Sequence, residues 1–231
     1  MRGDSGRSYK RRVGEGRAGW FCMDFVSARL NMVESQVRTN DVTDLNLVDA
    51  MRIIRRERFC PADKAHLAYA EKSPEYAPGR FLLAPRDLSK LVFSARPRTG
   101  ERALAIAGPY AAAVLARMGL TVTALEPADS DAGVRAMLDG EDVAVVGGDL
   151  SAPAGGPFDV IVVEGAVHRT PEAWIDALAP GGRLAVIERS AQLGKAQLYG
   201  KGEDGRVSRR TTFDAIAPYI TGFEPAPAFQ F

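Results

Sequence analysis

The sequence predicts an α/β fold, a doubly wound and mostly parallel sheet that is preceded by helices and ends in an antiparallel hairpin. From about Gly100 onward, short apolar segments alternate with helical ones, which is typical of a parallel sheet with right-handed crossovers. The run FDVIVV at residues 158–163 is apolar on both faces, as expected of a central buried strand. Residues 195–213 form two apparent strands around a Gly-Glu-Asp-Gly turn, which predicts the hairpin.

The chain has three predicted regions. Residues 1–22 are basic and glycine-containing, without apolar periodicity, and we expect a disordered arm; binding to RNA or a membrane, or translation from an upstream start, are the alternatives. Residues 23–98 form an N-terminal helical, substrate-side region. Residues 99–231 form the sheet-containing core. A chain of 231 residues with 46% hydrophobic content can bury a full core but not two large ones.

Charge and cysteine content exclude several functions. The 30 basic and 29 acidic residues leave a net charge of +1, so neither nucleic-acid binding nor membrane binding is indicated. No apolar run approaches the ~20 residues that span a bilayer. Cys22 and Cys60 lie far apart, without C-x-x-C spacing or a histidine cluster, which predicts unpaired thiols, no metal site and a cytoplasmic location.

In the N-terminal region, apolar positions after Met23 fit a helix that ends at the polar break of residues 38–44. A second helix begins at about Leu45, and we place Arg52, Arg55 and Arg56 on its solvated face. Residues 64–86 are expected to be loop-like, and a further helix covers residues 87–95.

The core elements follow in order. Strands are expected at residues 102–107, 121–126, 143–146, 158–163 and 183–188, and helices at 110–118, 129–139 and 171–178. Thr170, Pro171 and Glu172 provide an N-cap, a first-turn proline and an early acid, which favour the start of the last of these helices.

Residues 102–126 have the order strand, turn, helix, strand, acid. Glu126 ends the second strand, where a carboxylate can accept hydrogen bonds from both hydroxyls of a ribose. At the turn, Gly108 is followed by Pro109, which supplies few of the backbone N–H groups that a pyrophosphate needs. This disfavours NAD and FAD and favours S-adenosylmethionine, which has no phosphate. A solvated acid at an ordinary strand end is the alternative for Glu126.

Several blocks together resemble the protein-L-isoaspartate O-methyltransferase family, in its alphaproteobacterial form, from about Met23 to the C-terminus. They are MVESQVRTNDVTD (32–44), RRERFCPADKAHLAYAE (55–71), the unit that ends at Glu126, GPFDVIVVEGAVHRTPEAWIDALAPGGRLAVI (156–187) and the terminal hairpin. The resemblance implies the fold of a class I S-adenosylmethionine-dependent methyltransferase. With core strands numbered from residue 102, the implied strand order is 3-2-1-4-5-7-6, with the cofactor at the ends of strands 1, 2 and 3.

The resemblance also implies cofactor-binding residues at the strand ends: Ala107, Gly108, Glu126, Asp149, Leu150 and Glu164. Ala107 and Gly108 form the strand-1 turn, and Glu126 binds the ribose. Asp149 and Leu150 contact the adenine, with a simple turn role as the alternative for Asp149. Glu164 lies beside the methyl donor, or merely ends its strand.

No catalytic residue is assigned. Where the family has a substrate-side hydroxyl, this sequence has Leu82, Leu83 or Ala84, and the glycine turn is shortened to AGPY. His168 has no nearby acid or nucleophile in sequence and is interpreted as a surface residue.

The implied reaction is methyl transfer to the carboxylate of a damaged aspartyl residue in protein repair. A carboxylate with a pKa near ~4 is already ionised at pH 7, so the reaction needs no general base. An isoaspartyl peptide or protein is the expected partner, lying along residues 69–85, where Arg80 or Arg86 can hold a carboxylate. Two alternatives stay open: a methyltransferase-like binding or regulatory protein without turnover, and a nicotinamide-dependent oxidoreductase.

Overall fold

A computed structural model describes residues 24–190 and 192–226. The basic segment 1–22, with its predicted disorder and Cys22, lies outside the described residues. In the described ranges, no helix is long and apolar enough to cross a membrane. No group of three or more His, Cys, Asp or Glu side chains within those ranges is arranged to hold a metal ion.

The helices and strands alternate as the sequence predicts. The α-helices are α1 (Phe25–Met32), α2 (Leu45–Ile53), α3 (Pro85–Ala95), α4 (Pro109–Arg117), α5 (Asp131–Met137) and α6 (Glu172–Asp176). The strands are β1 (Glu75–Ala77), β2 (Arg80–Phe81), β3 (Arg102–Ile106), β4 (Thr121–Glu126), β5 (Val143–Gly147), β6 (Phe158–Val167), β7 (Leu178–Arg189), β8 (Gly194–Lys201) and β9 (Val207–Ala215). A π-helical turn, Val33–Val37, extends α1, and short 3-10 turns lie at Arg38–Asn40, Arg56–Phe59 and Ala65–Leu67.

A seven-stranded sheet forms the centre of the molecule, in the order β5-β4-β3-β6-β7-β8-β9. The first five of these strands are parallel, while β8 pairs antiparallel with both β7 and β9. The predicted doubly wound sheet and its C-terminal hairpin are therefore confirmed.

The implied strand order is wrong at one edge. Numbered from β3, the observed order is 3-2-1-4-5-6-7, with the last strand outermost, whereas the resemblance implied 3-2-1-4-5-7-6. Residues 190–193 are the whole connection between β7 and β8, so the chain turns back directly onto its neighbour. The seventh strand then joins across the turn at residues 202–206, with Lys201 opposite Val207.

The segment 64–86 is more ordered than predicted. Strands β1 and β2 pair antiparallel as a small hairpin, separate from the main sheet. Helix α3 begins at Pro85, two residues earlier than predicted, because proline fits the first turn of a helix.

Arg56 also departs from the prediction of a solvated face. Helix α2 ends at Ile53, and the following 3-10 turn directs Arg56 inward, where it is 0% exposed. Its Nε donates to the Ala68 carbonyl at 2.7 Å and its Nη2 to the Leu83 carbonyl at 2.6 Å. Arg52 and Arg55 pair near the surface with acids of the N-terminal region, as solvated arginines do.

Each face of the sheet is covered by its own buried cluster. On one face, the alanine-rich α4 is buried from Pro109 to Leu115 and packs with α2 and α3. On the other, Trp174 of α6 is fully buried, and its Nε1 donates to the Leu150 carbonyl at 2.7 Å. The two layers leave the carboxyl ends of β3, β4 and β5 at one edge, where the predicted site lies.

Candidate cofactor site at the strand ends

The turn after β3 is tight and buried. Ala107 adopts a left-handed conformation with φ 48°, and Gly108 is the N-cap of α4. A Cβ atom on Gly108 would lie 2.8 Å from the Cβ of Glu164. Since real Cβ atoms do not approach so closely, glycine is required here by the close packing of Glu164.

Glu126, the predicted ribose acid, lies at the end of β4 and is 0% exposed. The hydroxyl of Tyr76 donates to it, 3.0 Å from Oε2 and 3.3 Å from Oε1. Burial raises the pKa of Glu126 to about 8, although the Tyr76 hydrogen bond, the charge of Arg80 and the Gly108 N–H oppose the shift. Burial of this carboxyl group therefore favours its protonated form.

Glu164 lies in a bulge of β6, where the pairing with β7 shifts register between Val162 and Ala166. The bulge directs its side chain towards the first turn of α4. Its Oε2 accepts the N–H of Ala111 at 3.0 Å, and its Oε1 accepts the N–H of Leu83 at 3.1 Å. Glu164 thus caps the helix and ties it to the segment before α3.

The pKa of Glu164 is also displaced. Burial raises it to about 7, while the charge of Arg56 and the two backbone donors act in the opposite direction. The guanidinium of Arg56 lies over the Tyr110 ring, 4.6 Å from its centroid. Glu126 and Glu164 therefore form a pair of buried acids around Gly108.

Asp149 and Leu150 lie beyond β5, apart from this pair. Asp149 is exposed and accepts hydrogen bonds at 2.8 Å from both the backbone N–H and the hydroxyl of Ser151, which lower its pKa. This is an Asx turn, the simpler of the two roles considered for Asp149. Leu150 is buried against the opposite face of the sheet, where its carbonyl meets Trp174.

A family model for protein-L-isoaspartate(D-aspartate) O-methyltransferase matches residues 28–221. A protein-L-isoaspartate O-methyltransferase of Methylorubrum populi is 37% identical over 167 residues, which cover 69% of this chain and 79% of that protein. One of Methylorubrum extorquens is 36% identical over 170 residues, covering 71% and 75%. The chain belongs to the protein-L-isoaspartate O-methyltransferase family.

Solved structures agree in fold. A protein-L-isoaspartate O-methyltransferase superposes with a TM-score of 0.69 at 22% identity, over 84% of this chain and 66% of that chain. A Plasmodium falciparum structure described as a putative protein-L-isoaspartate O-methyltransferase, in complex with S-adenosyl-L-homocysteine, gives 0.68 at 16% identity, over 84% and 98%. The class I methyltransferase fold is thereby confirmed.

Three side chains whose roles were not predicted from sequence pack around the candidate site: Tyr76, Arg56 and Tyr110. A signal for Tyr76 was present, since Pro-Gly between two short extended segments is a hairpin pattern. Arg56 and Tyr110 carried no such signal, because their burial depends on contacts distant in sequence.

The arginines proposed to hold substrate have different surroundings. Arg80 is buried and near Glu126, and its Nη2 lies 3.5 Å from the exposed Asp129. Arg86 binds Asp87 at 2.6 Å at the start of α3. His168 is exposed, as predicted.

In this conformation the strand ends do not fit an adenosyl group. Gly108, Glu126 and Glu164 are all buried, and each carboxyl group already has partners within the chain. Tyr76 takes the place at Glu126 where ribose hydroxyls are expected. Glu126, the acid expected to bind the ribose of a nucleoside cofactor, is therefore present but covered by Tyr76.

Proposed function

We propose that this protein is an S-adenosylmethionine-dependent protein-L-isoaspartate O-methyltransferase that methylates isoaspartyl, or D-aspartyl, carboxylates of damaged proteins in the cytoplasm. The observation that carries the proposal is the family match over residues 28–221, which includes both the N-terminal region and the sheet. Family membership supports the reaction and the cofactor together. The free, buried thiol of Cys60 fits a reducing compartment.

The proposed division of labour follows the chain. Residues 23–98 form the substrate side, and residues 99–231 form the cofactor side. Glu126 is assigned to the ribose, Ala107 and Gly108 to the turn beneath it, Asp149 and Leu150 to the adenine, and Glu164 to the region of the methyl donor. Since the acceptor carboxylate is ionised at neutral pH, no residue of this chain has to remove a proton.

A methyl-transfer assay tests this function. Radiolabelled S-adenosylmethionine is offered with an isoaspartyl peptide and, as the control, with the same peptide containing normal aspartate. We expect label in the isoaspartyl peptide alone. Label in neither peptide, under conditions in which the Methylorubrum populi relative is active, contradicts the proposal.

The second candidate is a binding or regulatory protein without turnover. Burial of Gly108, Glu126 and Glu164 against groups of the same chain favours it. Titration with S-adenosylmethionine separates the two functions. Binding without methyl transfer to the isoaspartyl peptide supports the second candidate, and transfer excludes it.

A further inference from the structure

The hairpin Glu75–Phe81 and the ribose of a cofactor would both place hydroxyl groups against the carboxyl group of Glu126. The Tyr76 hydroxyl lies within hydrogen-bonding distance of both carboxylate oxygens, at 3.0 and 3.3 Å. The two hydroxyls of a ribose address a carboxylate in the same way. Tyr76 and a nucleoside therefore cannot occupy Glu126 together.

Two buried side chains anchor the hairpin, Tyr76 in the main hydrophobic core and Arg80 beside Glu126, whereas its contacts near the surface are weaker. Its strands pair with each other and not with the main sheet, and an isolated two-stranded hairpin is marginally stable in water. Lys64 pairs with Glu75 at 3.0 Å where both side chains are about one-third exposed, and Arg80 pairs with an almost fully exposed Asp129. The partly exposed Lys64–Glu75 pair contributes little, and the carboxylate that faces the buried Arg80 is itself in solvent.

The hairpin is also bordered by open space on one side and by a buried donor without a hydrogen bond on the other. A cavity of about 310 Å³ borders it, lined by Pro61, Lys64, Glu75, Tyr76, Ala77 and Pro78. On the inner side, Nε of Arg80 is buried and has no hydrogen-bond partner among residues 24–190 and 192–226. The closed hairpin thus has open space on its flank and a buried donor without a hydrogen bond on its inner side.

The tip of the hairpin is held by the C-terminal segment. The Thr221 hydroxyl donates to the Gly79 carbonyl at 3.2 Å, and a Cβ on Gly79 would lie only 1.9 Å from that hydroxyl. Thr221 is positioned by the β6 bulge, because Ala166 exchanges backbone hydrogen bonds with Pro218 and Ile220. The bulge that directs Glu164 inward therefore also positions the contact at the tip.

We propose that the β1–β2 hairpin is a latch that competes with the ribose of the cofactor for Glu126, and that Thr221 helps to keep it shut. The proposal rests on the proposed function, since it takes S-adenosylmethionine as the ligand. Apparent affinity falls in proportion to the fraction of molecules that are open. Weakening the closed state at a position outside the cofactor site therefore tightens binding.

The test compares Thr221→Val with Thr212→Val. The second is a matched control, because the Thr212 hydroxyl also donates to a backbone carbonyl at 3.2 Å, but in the β8–β9 hairpin. S-adenosylhomocysteine binding is measured by calorimetry and stopped flow on the full chain. We expect Thr221→Val to bind about 2- to 10-fold more tightly, with faster association, as the loss of one hydrogen bond implies. Thr212→Val should match the wild type.

Hydrogen exchange gives a readout without ligand. The amide of Leu82, bonded to the Pro74 carbonyl at 3.0 Å, should exchange faster in Thr221→Val than in the wild type or the control. Binding with equal affinity and rate in all three proteins, or unchanged exchange, overturns the latch and leaves the proposed function intact. Absence of binding by all three up to millimolar ligand overturns both.

Discussion

Replacing Glu126 by Gln should make the protein more stable at neutral and alkaline pH. Burial raises the pKa of Glu126 from an ordinary value of 4.5 to about 8 in the folded protein. A group with a raised pKa contributes its full stability below the unfolded value and loses it as pH rises to the folded value. At ~1.4 kcal/mol per unit, the cost of ionisation above pH 8 is on the order of a few kcal/mol. The neutral amide keeps an acceptor for Tyr76 and avoids this cost.

Urea unfolding at pH 5, 6, 7 and 8 measures the effect. The two proteins should be similar near pH 5 and diverge progressively up to pH 8, with the variant more stable. Some decline between pH 5 and 7 should persist in the variant, because Glu164 has a pKa raised to about 7 by burial. Parallel curves for the two proteins would refute the burial of Glu126 as a protonated acid.

Two further substitutions have matched controls. Arg56→Met should lower the free energy of unfolding by about 3–5 kcal/mol, because two buried carbonyls lose their donor and Glu164 loses a compensating charge. The control Arg55→Met, at the surface, should change the free energy of unfolding little. Thermal unfolding compares the two variants. Equal effects would contradict the buried role. Gly108→Ala should lower the free energy of unfolding by about 1–3 kcal/mol, because the added methyl group overpacks against Glu164. The control Gly133→Ala lies in helix α5, where an added Cβ meets nothing within 4 Å, and should leave stability unchanged or raise it. Urea unfolding measures both variants. A neutral Gly108→Ala would show that the turn is looser than described.

The main sheet was predictable from sequence because its strands are long apolar runs with clear turn signals. The acid at the end of β4 was predictable for the same reason, since strand ends gather at one edge of a parallel sheet. The order of the last two strands was not, because either arrangement satisfies the same local pattern. The short connection at residues 190–193 favours direct pairing of β8 with β7, and only the observed ladder identifies the arrangement.

The side chains that cover the candidate site, Tyr76 and Arg56, could not be predicted in the same way. Tyr76 and Glu126 are separated by 50 residues, and β1 and β2 are too short to show strand periodicity. Arg56 was misplaced because the end of α2 changes which side its side chain faces. Local patterns predict elements, whereas burial of a charged group depends on contacts between segments that are distant in the chain.

On the structure described here, Tyr76 and the cofactor ribose exclude each other at Glu126. A crystal structure of the full chain with S-adenosylhomocysteine would show whether they do. We expect ribose hydroxyls within about 3 Å of the Glu126 carboxylate and the Tyr76 hydroxyl moved away from it. If S-adenosylhomocysteine is bound while the contact between Tyr76 and Glu126 stays intact, Tyr76 and the ribose do not compete for this acid.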